Sequence, residues 1–209
     1  MQKEATYQSI NTYDTLNELT SKTKNVWLVF HGIGYLSRYF IRLFESLDKE
    51  ENYIIAPQAP SKYYKGEDYR RVGASWLTKE NTKTETQNVL NYIDAVVAAE
   101  NIPNTTRFVI LGYSQGVSIA SRWIASRKKN CHAIVMISGG FPKELSKDDF
   151  TFMSTDTKVT HILGEKDPYF EIEKVNAEKE RVKQIIPQIE FRTHSGGHEL
   201  DPKTLVNVL

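Results

Sequence analysis

The chain has 209 residues, 40% of them hydrophobic and 11% aromatic, enough to bury roughly 70% of its unfolded surface around one core, so residues 1–209 are expected to form a single domain. Twenty-seven basic residues against 26 acidic ones leave a net charge of +1 with no long run of either sign, which argues against nucleic acid or an anionic membrane as partner and for a small molecule. Cys131 is the sole cysteine, apolar runs reach only about six residues against the roughly twenty of a membrane span, and the first residues lead into no apolar segment, which points to a cytoplasmic protein without disulfides or stable membrane insertion.

In chain order, residues 5–20 have room for one or two antiparallel edge strands, and Val26 to Phe30 is the first strand-like run. The glycine-rich turn His31-Gly32-Ile33-Gly34 follows it. Leu36, Phe40, Leu43, Phe44 and Leu47 then keep the spacing of one helical face, with Arg38, Arg42 and Glu45 on the other. Tyr53 to Ala56 is a second strand. From Pro57 to Thr82 no period is visible in a stretch rich in Tyr, Lys, Arg and Gly, and a loop this long is usually functional. It leaves the carboxyl end of a strand, the edge where open parallel sheets bind ligands, so Tyr63, Tyr64, Tyr69 and Trp76 are candidate walls of a substrate pocket, with Tyr35 and Tyr113 beside them.

A helix is expected from Thr84 to Glu100, carried by Val89, Ile93, Val96 and Val97 and stopped before Pro103. Strands follow at Phe108 to Leu111, Ala133 to Ile137, Val159 to Leu163 and Ile189 to Phe191. Helical runs are expected at Val117 to Ile124, Lys174 to Ile186 and, shorter, Pro202 to Leu209. Most of the strands lack polar alternation, as central parallel strands do when both faces are covered. Alternating strand and helix therefore imply an α/β fold with a mainly parallel sheet and helices on both faces.

Gly112-Tyr113-Ser114-Gln115-Gly116 joins one of those strands directly to a helix, the context of a nucleophile elbow. Side chains at 112 and 116 would collide with the neighbouring strand and helix, and glycine removes them. A serine activated in this topology needs an acid and then a histidine, in that chain order, from loops at the same sheet edge. His198, in the flexible Ser195-Gly196-Gly197 loop, suits the base, whereas His194 closes a strand, His132 precedes one and His161 lies inside one. The acid should hang from Gly164-Glu165-Lys166-Asp167-Pro168, with Asp167 preferred and Glu165 in reserve; Asp148, Asp149, Asp156 and Asp201 fall in poorer places. Backbone N–H groups of Gln115, at a helix start, and Ile33 would form the oxyanion hole, with His31 bracing the loop. No HExxH or paired Cys/His spacing suggests a metal, and the chemistry needs no cofactor.

His31-Gly-Ile-Gly34, Tyr53-Ile-Ile-Ala-Pro-Gln-Ala-Pro60, Ser75-Trp76, Ile102-Pro-Asn104, Arg107 through Gly116, Gly164-Glu-Lys-Asp167 and Gly197-His198 resemble, in order and spacing, the phospholipase/carboxylesterase family of α/β-hydrolases, which includes the acyl-protein thioesterases. The resemblance implies Ser114 as nucleophile, Asp167 and His198 as its partners, an oxyanion hole at Ile33 and Gln115, and metal-independent hydrolysis of carboxylic esters, with thioesters or lysophospholipids as alternatives. Gly34-Tyr-Leu-Ser37 stands where the family often has Gly-Asp-Thr-Gly, and Val117 replaces a second glycine. Residues 61–74 are unusually basic and tyrosine-rich. These departures point away from lipidated proteins and toward small or short-acyl esters. A reading of another class, a non-catalytic ligand-binding homologue, is opposed by the intact serine, acid and histidine. Apolar surface near the mouth would suit membrane contact or a homodimer.

Overall fold

Short runs of β-branched and aromatic residues with no polar alternation suit strands covered on both sides. The computed structural model, which describes residues 1, 3–169 and 171–208 and only the backbone of Ile172, Val206 and Asn207, places them that way. Its strands are β1 (Tyr13–Leu16), β2 (Asn25–Phe30), β3 (Asn52–Pro57), β4 (Ser61–Lys65), β5 (Arg71–Ser75), β6 (Arg107–Tyr113), β7 (Ala133–Ile137), β8 (Lys158–Gly164) and β9 (Ile189–His194). Seven of them form one sheet in the order β1-β3-β2-β6-β7-β8-β9. Only β1 runs antiparallel, against β3; every other pairing is parallel.

Alternate residues of each strand feed two separate cores. Val26, Leu28, Phe30, Ile55 and Ile110 pack with Val89, Ile93, Val117, Trp123 and Val182 from α2 (Thr82–Ala99), α3 (Gln115–Arg127) and α4 (Ile172–Ile185). Trp27, Val29, Ile54, Val109 and Leu111 pack on the opposite side with Phe40 from α1 (Ser37–Phe40), Phe44 and the carboxyl-terminal Leu205. Each such buried side chain contributes on the order of 2 kcal/mol of transfer free energy. No helix among the described residues is long and apolar enough to cross a membrane.

Three expectations change. The stripe from Leu36 to Leu47 is not one helix: α1 lasts four residues and passes into a 3₁₀ turn at Ile41–Phe44. Leu36 joins the α2/α3 core while Phe40 and Phe44 join the other, so no single face of a longer helix could bury all three. Residues 57–82 are not a structureless loop, because β4 and β5 pair as an antiparallel hairpin around Gly66 and Tyr69. The final element is a 3₁₀ helix at Pro202–Asn207, begun by the Asp201 side chain accepting the Lys203 N–H; Leu209, where a helix was expected to end, lies outside the described residues.

Candidate active site

Between the last residue of β6 and the first of α3 stands one residue, Ser114, and it makes the whole reversal with φ 53° and ψ −120°. Few non-glycine residues occupy positive φ, and such strain persists only where the surroundings hold it. Here the Ser114 N–H donates to Ile137 O at 2.8 Å, tying the turn to the neighbouring strand end. A methyl group at 116 would come within 2.0 Å of Phe30 O and one at 112 within 2.5 Å of the Val117 Cα, so both flanking glycines are required sterically. Val117 itself is fully buried, facing Gly139 in the core, so its side chain does not narrow the mouth of the site.

The loops after β8 and β9 arrive at the same sheet edge and are stitched together by Glu165 N–H to His194 O (2.9 Å) and Lys166 N–H to Gly196 O (3.0 Å). They bring Asp167 and His198 to Ser114. His198 Nε2 lies 2.8 Å from Ser114 Oγ and His198 Nδ1 lies 2.7 Å from Asp167 Oδ2. The Asp167 side chain has no solvent exposure, and its other oxygen accepts the Tyr169 N–H at 3.0 Å. With Nδ1 donating to the carboxylate, Nε2 presents its lone pair to the serine hydroxyl. Glu165 does not share this position: it is exposed and accepts the Thr193 hydroxyl at 2.9 Å. His194 accepts the Gly196 N–H through Nδ1 and shapes the turn that delivers His198.

Opposite the histidine, the turn after β2 lies against the serine, so that a methyl group on Gly32 would sit 3.0 Å from Ser114 Cβ. His31 is fully buried, and burial lowers its pKa to about 4. Its Nε2 accepts the Ala59 N–H at 3.1 Å, which leaves the proton on Nδ1 to be donated to Gly32 O at 2.8 Å. Carbonyl and N–H of one trans peptide point in opposite directions, so fixing Gly32 O also fixes the aim of the Ile33 N–H. Among the described residues neither the Ile33 nor the Gln115 N–H has a hydrogen-bond partner. The Gln115 side chain has a separate task invisible in the motif: Oε1 accepts the Trp76 N–H (2.8 Å) and Nε2 donates to Leu77 O (2.7 Å), fastening the end of β5 to the start of α3.

The aromatic residues singled out from sequence divide. Trp76 and Tyr113 are not pocket walls, because both are buried. Trp76 donates from Nε1 to His31 O at 2.8 Å, underpinning the Gly32 turn. Tyr113 stacks on Phe40 and donates its hydroxyl to His198 O at 2.8 Å, anchoring the histidine loop from beneath. Tyr35 meets Tyr113 edge to face and remains 39% exposed at the rim. Tyr63 reaches Gly34, whereas Tyr64 alternates to the other face of the hairpin and pairs with Tyr69, away from the Gly32–Gly34 turn. The residue missed from sequence is Tyr169, whose exposed ring stands edge-on to His198 with centroids 4.8 Å apart. Only its place two residues after the acid hints at this. No group of three or more His, Cys, Asp or Glu side chains among the described residues gathers to hold a metal ion.

A mainly parallel sheet covered on both faces, whose carboxyl edge carries the Ser114 turn, the Asp167 loop and the His198 loop in that chain order, defines the α/β-hydrolase class. Within that class the chain belongs to the phospholipase/carboxylesterase family, whose sequence model matches residues 11–209, and with it is an ester hydrolase. Among solved structures it is similar to acyl-protein thioesterase 2 of Zea mays, at 14% identity over 95% of this chain and 96% of that one with a TM-score of 0.71. It is also similar to a phospholipase/carboxylesterase of Dyadobacter fermentans, at 20% identity over 98% of both chains with a TM-score of 0.68. At such identities the likeness is one of fold. No curated protein matches the chain significantly.

Proposed function

We propose that the chain is a serine carboxylesterase acting on small or short-acyl esters through an acyl-enzyme at Ser114, with His198 as base and acid and Asp167 as its buried partner. The observation that carries this reading is the unbroken hydrogen-bonded line from Ser114 Oγ through both nitrogens of His198 to a carboxylate shut off from solvent. Attack of Oγ on the ester carbonyl sends its proton to Nε2, and Asp167 stabilises the imidazolium without taking the proton. The developing oxyanion is met by the Ile33 and Gln115 N–H groups, each worth roughly 10²–10³ in kcat. Collapse returns the proton from Nε2 to the departing alcohol, and water then repeats both steps on the acyl-enzyme.

Short substrates are favoured by Tyr35 at the rim and the hairpin standing over the Gly32–Gly34 turn. A lone cysteine, kept a thiol by burial that raises its pKa to about 12, and the near-even charge suit a cytoplasmic enzyme of small molecules with no nucleic-acid partner. A panel of 4-nitrophenyl esters and acyl thioesters of graded length tests the substrate class. Specificity constants that fall with acyl length and favour oxygen esters are expected. A tenfold preference for long-chain acyl thioesters would replace this reading with that of an acyl-thioesterase.

A further inference from the structure

The hairpin over the active-site rim carries a charge arrangement that folding alone does not explain. In its register Lys65 stands directly opposite Arg71, and Tyr63 directly opposite Gly73. Like charges placed face to face across an antiparallel pair repel. Among the described residues neither cation has an acidic partner; Asp68, in the intervening turn, accepts the Arg70 N–H through Oδ1. Both cations are exposed to solvent, on the face of the hairpin that Gly73 turns toward Gly34. A methyl group on Gly73 would touch both the Gly34 Cα and the Lys65 Cδ at 2.9 Å, and one on Gly34 would lie 3.4 Å from Lys65 Nζ and 3.5 Å from the Tyr63 hydroxyl. Gly34 N–H donates to Ala74 O at 2.8 Å, so the hairpin is pinned to this turn.

Resting on the esterase reading above, we propose that Lys65, Arg71 and the Tyr63 hydroxyl form an anion subsite, and that the preferred substrates are esters carrying a carboxylate or similar negative group. Lys65 spends one donor on Gly34 O, at 3.4 Å, and an ammonium has two more. Gly32 abuts Ser114, and Gly34 is two residues further on, which puts the subsite on the order of 10 Å from the nucleophile. An extended chain of six to eight bonds covers that distance. The negative group of the substrate supplies the counter-charge that the pair lacks, and guanidinium and ammonium side by side suit a carboxylate.

The test compares kcat/KM for mono-4-nitrophenyl adipate and suberate with that for 4-nitrophenyl esters of uncharged acids of equal length. Placing the charge on the alcohol side, 4-(butyryloxy)benzoate is compared with its methyl ester. At low salt the charged member of at least one pair is expected to lead by about five- to tenfold, and the lead should shrink as ionic strength rises. Lys65→Gln and Arg71→Gln should each lower that ratio and the double variant should bring it near one, whereas Lys65→Arg should keep it. Charged-to-neutral ratios at or below one in every pair, or a ratio that neither salt nor the substitutions move, would overturn the subsite while leaving the esterase intact. Failure of the wild-type protein to hydrolyse any of these esters would remove both readings together. The salt titration needs no variant, so the outcome does not depend on the substituted proteins folding.

Discussion

Lowering the pH from 7.5 to 5 should destabilise the fold through two buried histidines before any loss of carboxylate charge matters. His31 and His161 are 0% and 2% exposed, and burial is the leading cause that lowers both pKa values from 6.5 to about 4. As pH falls, the unfolded chain therefore takes up these protons first. The stability each residue contributes is complete above pH 6.5 and is lost progressively as pH falls toward 4. Between pH 7.5 and 5 the linkage relation gives about 2 kcal/mol for each, or about 4 kcal/mol for the pair, a large share of a typical domain stability of roughly 5–15 kcal/mol. Urea unfolding followed by tryptophan fluorescence at pH 7.5, 6.5, 5.5 and 5.0 measures it, with the slope of each transition checked for constancy. His161→Leu should remove about half of the pH dependence, since His161 packs against Phe191 and an apolar residue there has no charge to acquire. Stability that is flat to within about 1 kcal/mol across this range, or a His161→Leu protein with undiminished dependence, would refute the reasoning.

Other consequences concern turnover. Ser114→Ala and His198→Ala should lower kcat by roughly 10⁵–10⁶ and Asp167→Asn by about 10⁴, whereas Glu165→Gln should change it less than about threefold; steady-state kinetics on a short 4-nitrophenyl ester would reverse the acid assignment if the last two traded places. His31→Phe keeps a ring beside Trp76 and Phe40 but frees Gly32 O on one side, and should lower kcat by about 10- to 100-fold with little change in KM, because Tyr35 N–H still holds that carbonyl at 3.2 Å. Turnover within twofold of wild type would take His31 out of the mechanism. Tyr113→Phe removes the hydroxyl that holds His198 O and should cost about 1 kcal/mol in stability and less than tenfold in kcat, checked by thermal unfolding and kinetics on one preparation.

How far the sequence could be read depended on what each residue reports. Central strands were legible because a strand buried on both faces is largely apolar, and β7 runs from Ala133 to Ile137 as its pattern suggests. The β4–β5 hairpin was not, since all of β4 is exposed and nothing forces apolar and polar residues to alternate along it. The elbow was legible in its glycines, whose need is steric and local. That Ser114, Asp167 and His198 lie within hydrogen-bonding reach is a long-range property, which chain order suggests but does not contain. Trp76 and Tyr113 looked like pocket walls because aromatic residues near a sheet edge serve equally well as ligand contacts and as supports, and only packing tells which. Tyr169 escaped notice for the converse reason: no spacing rule ties a residue after Pro168 to a ring some thirty positions away.

Mass spectrometry after exposure of the folded protein to a fluorophosphonate tests the nucleophile most directly. A single adduct on the peptide containing Ser114, formed by the wild-type protein and suppressed in His198→Ala, is the expected result. A wild-type protein that stays unlabelled at Ser114 while remaining folded, or labelling that His198→Ala leaves equally fast, would contradict a serine made reactive by its histidine.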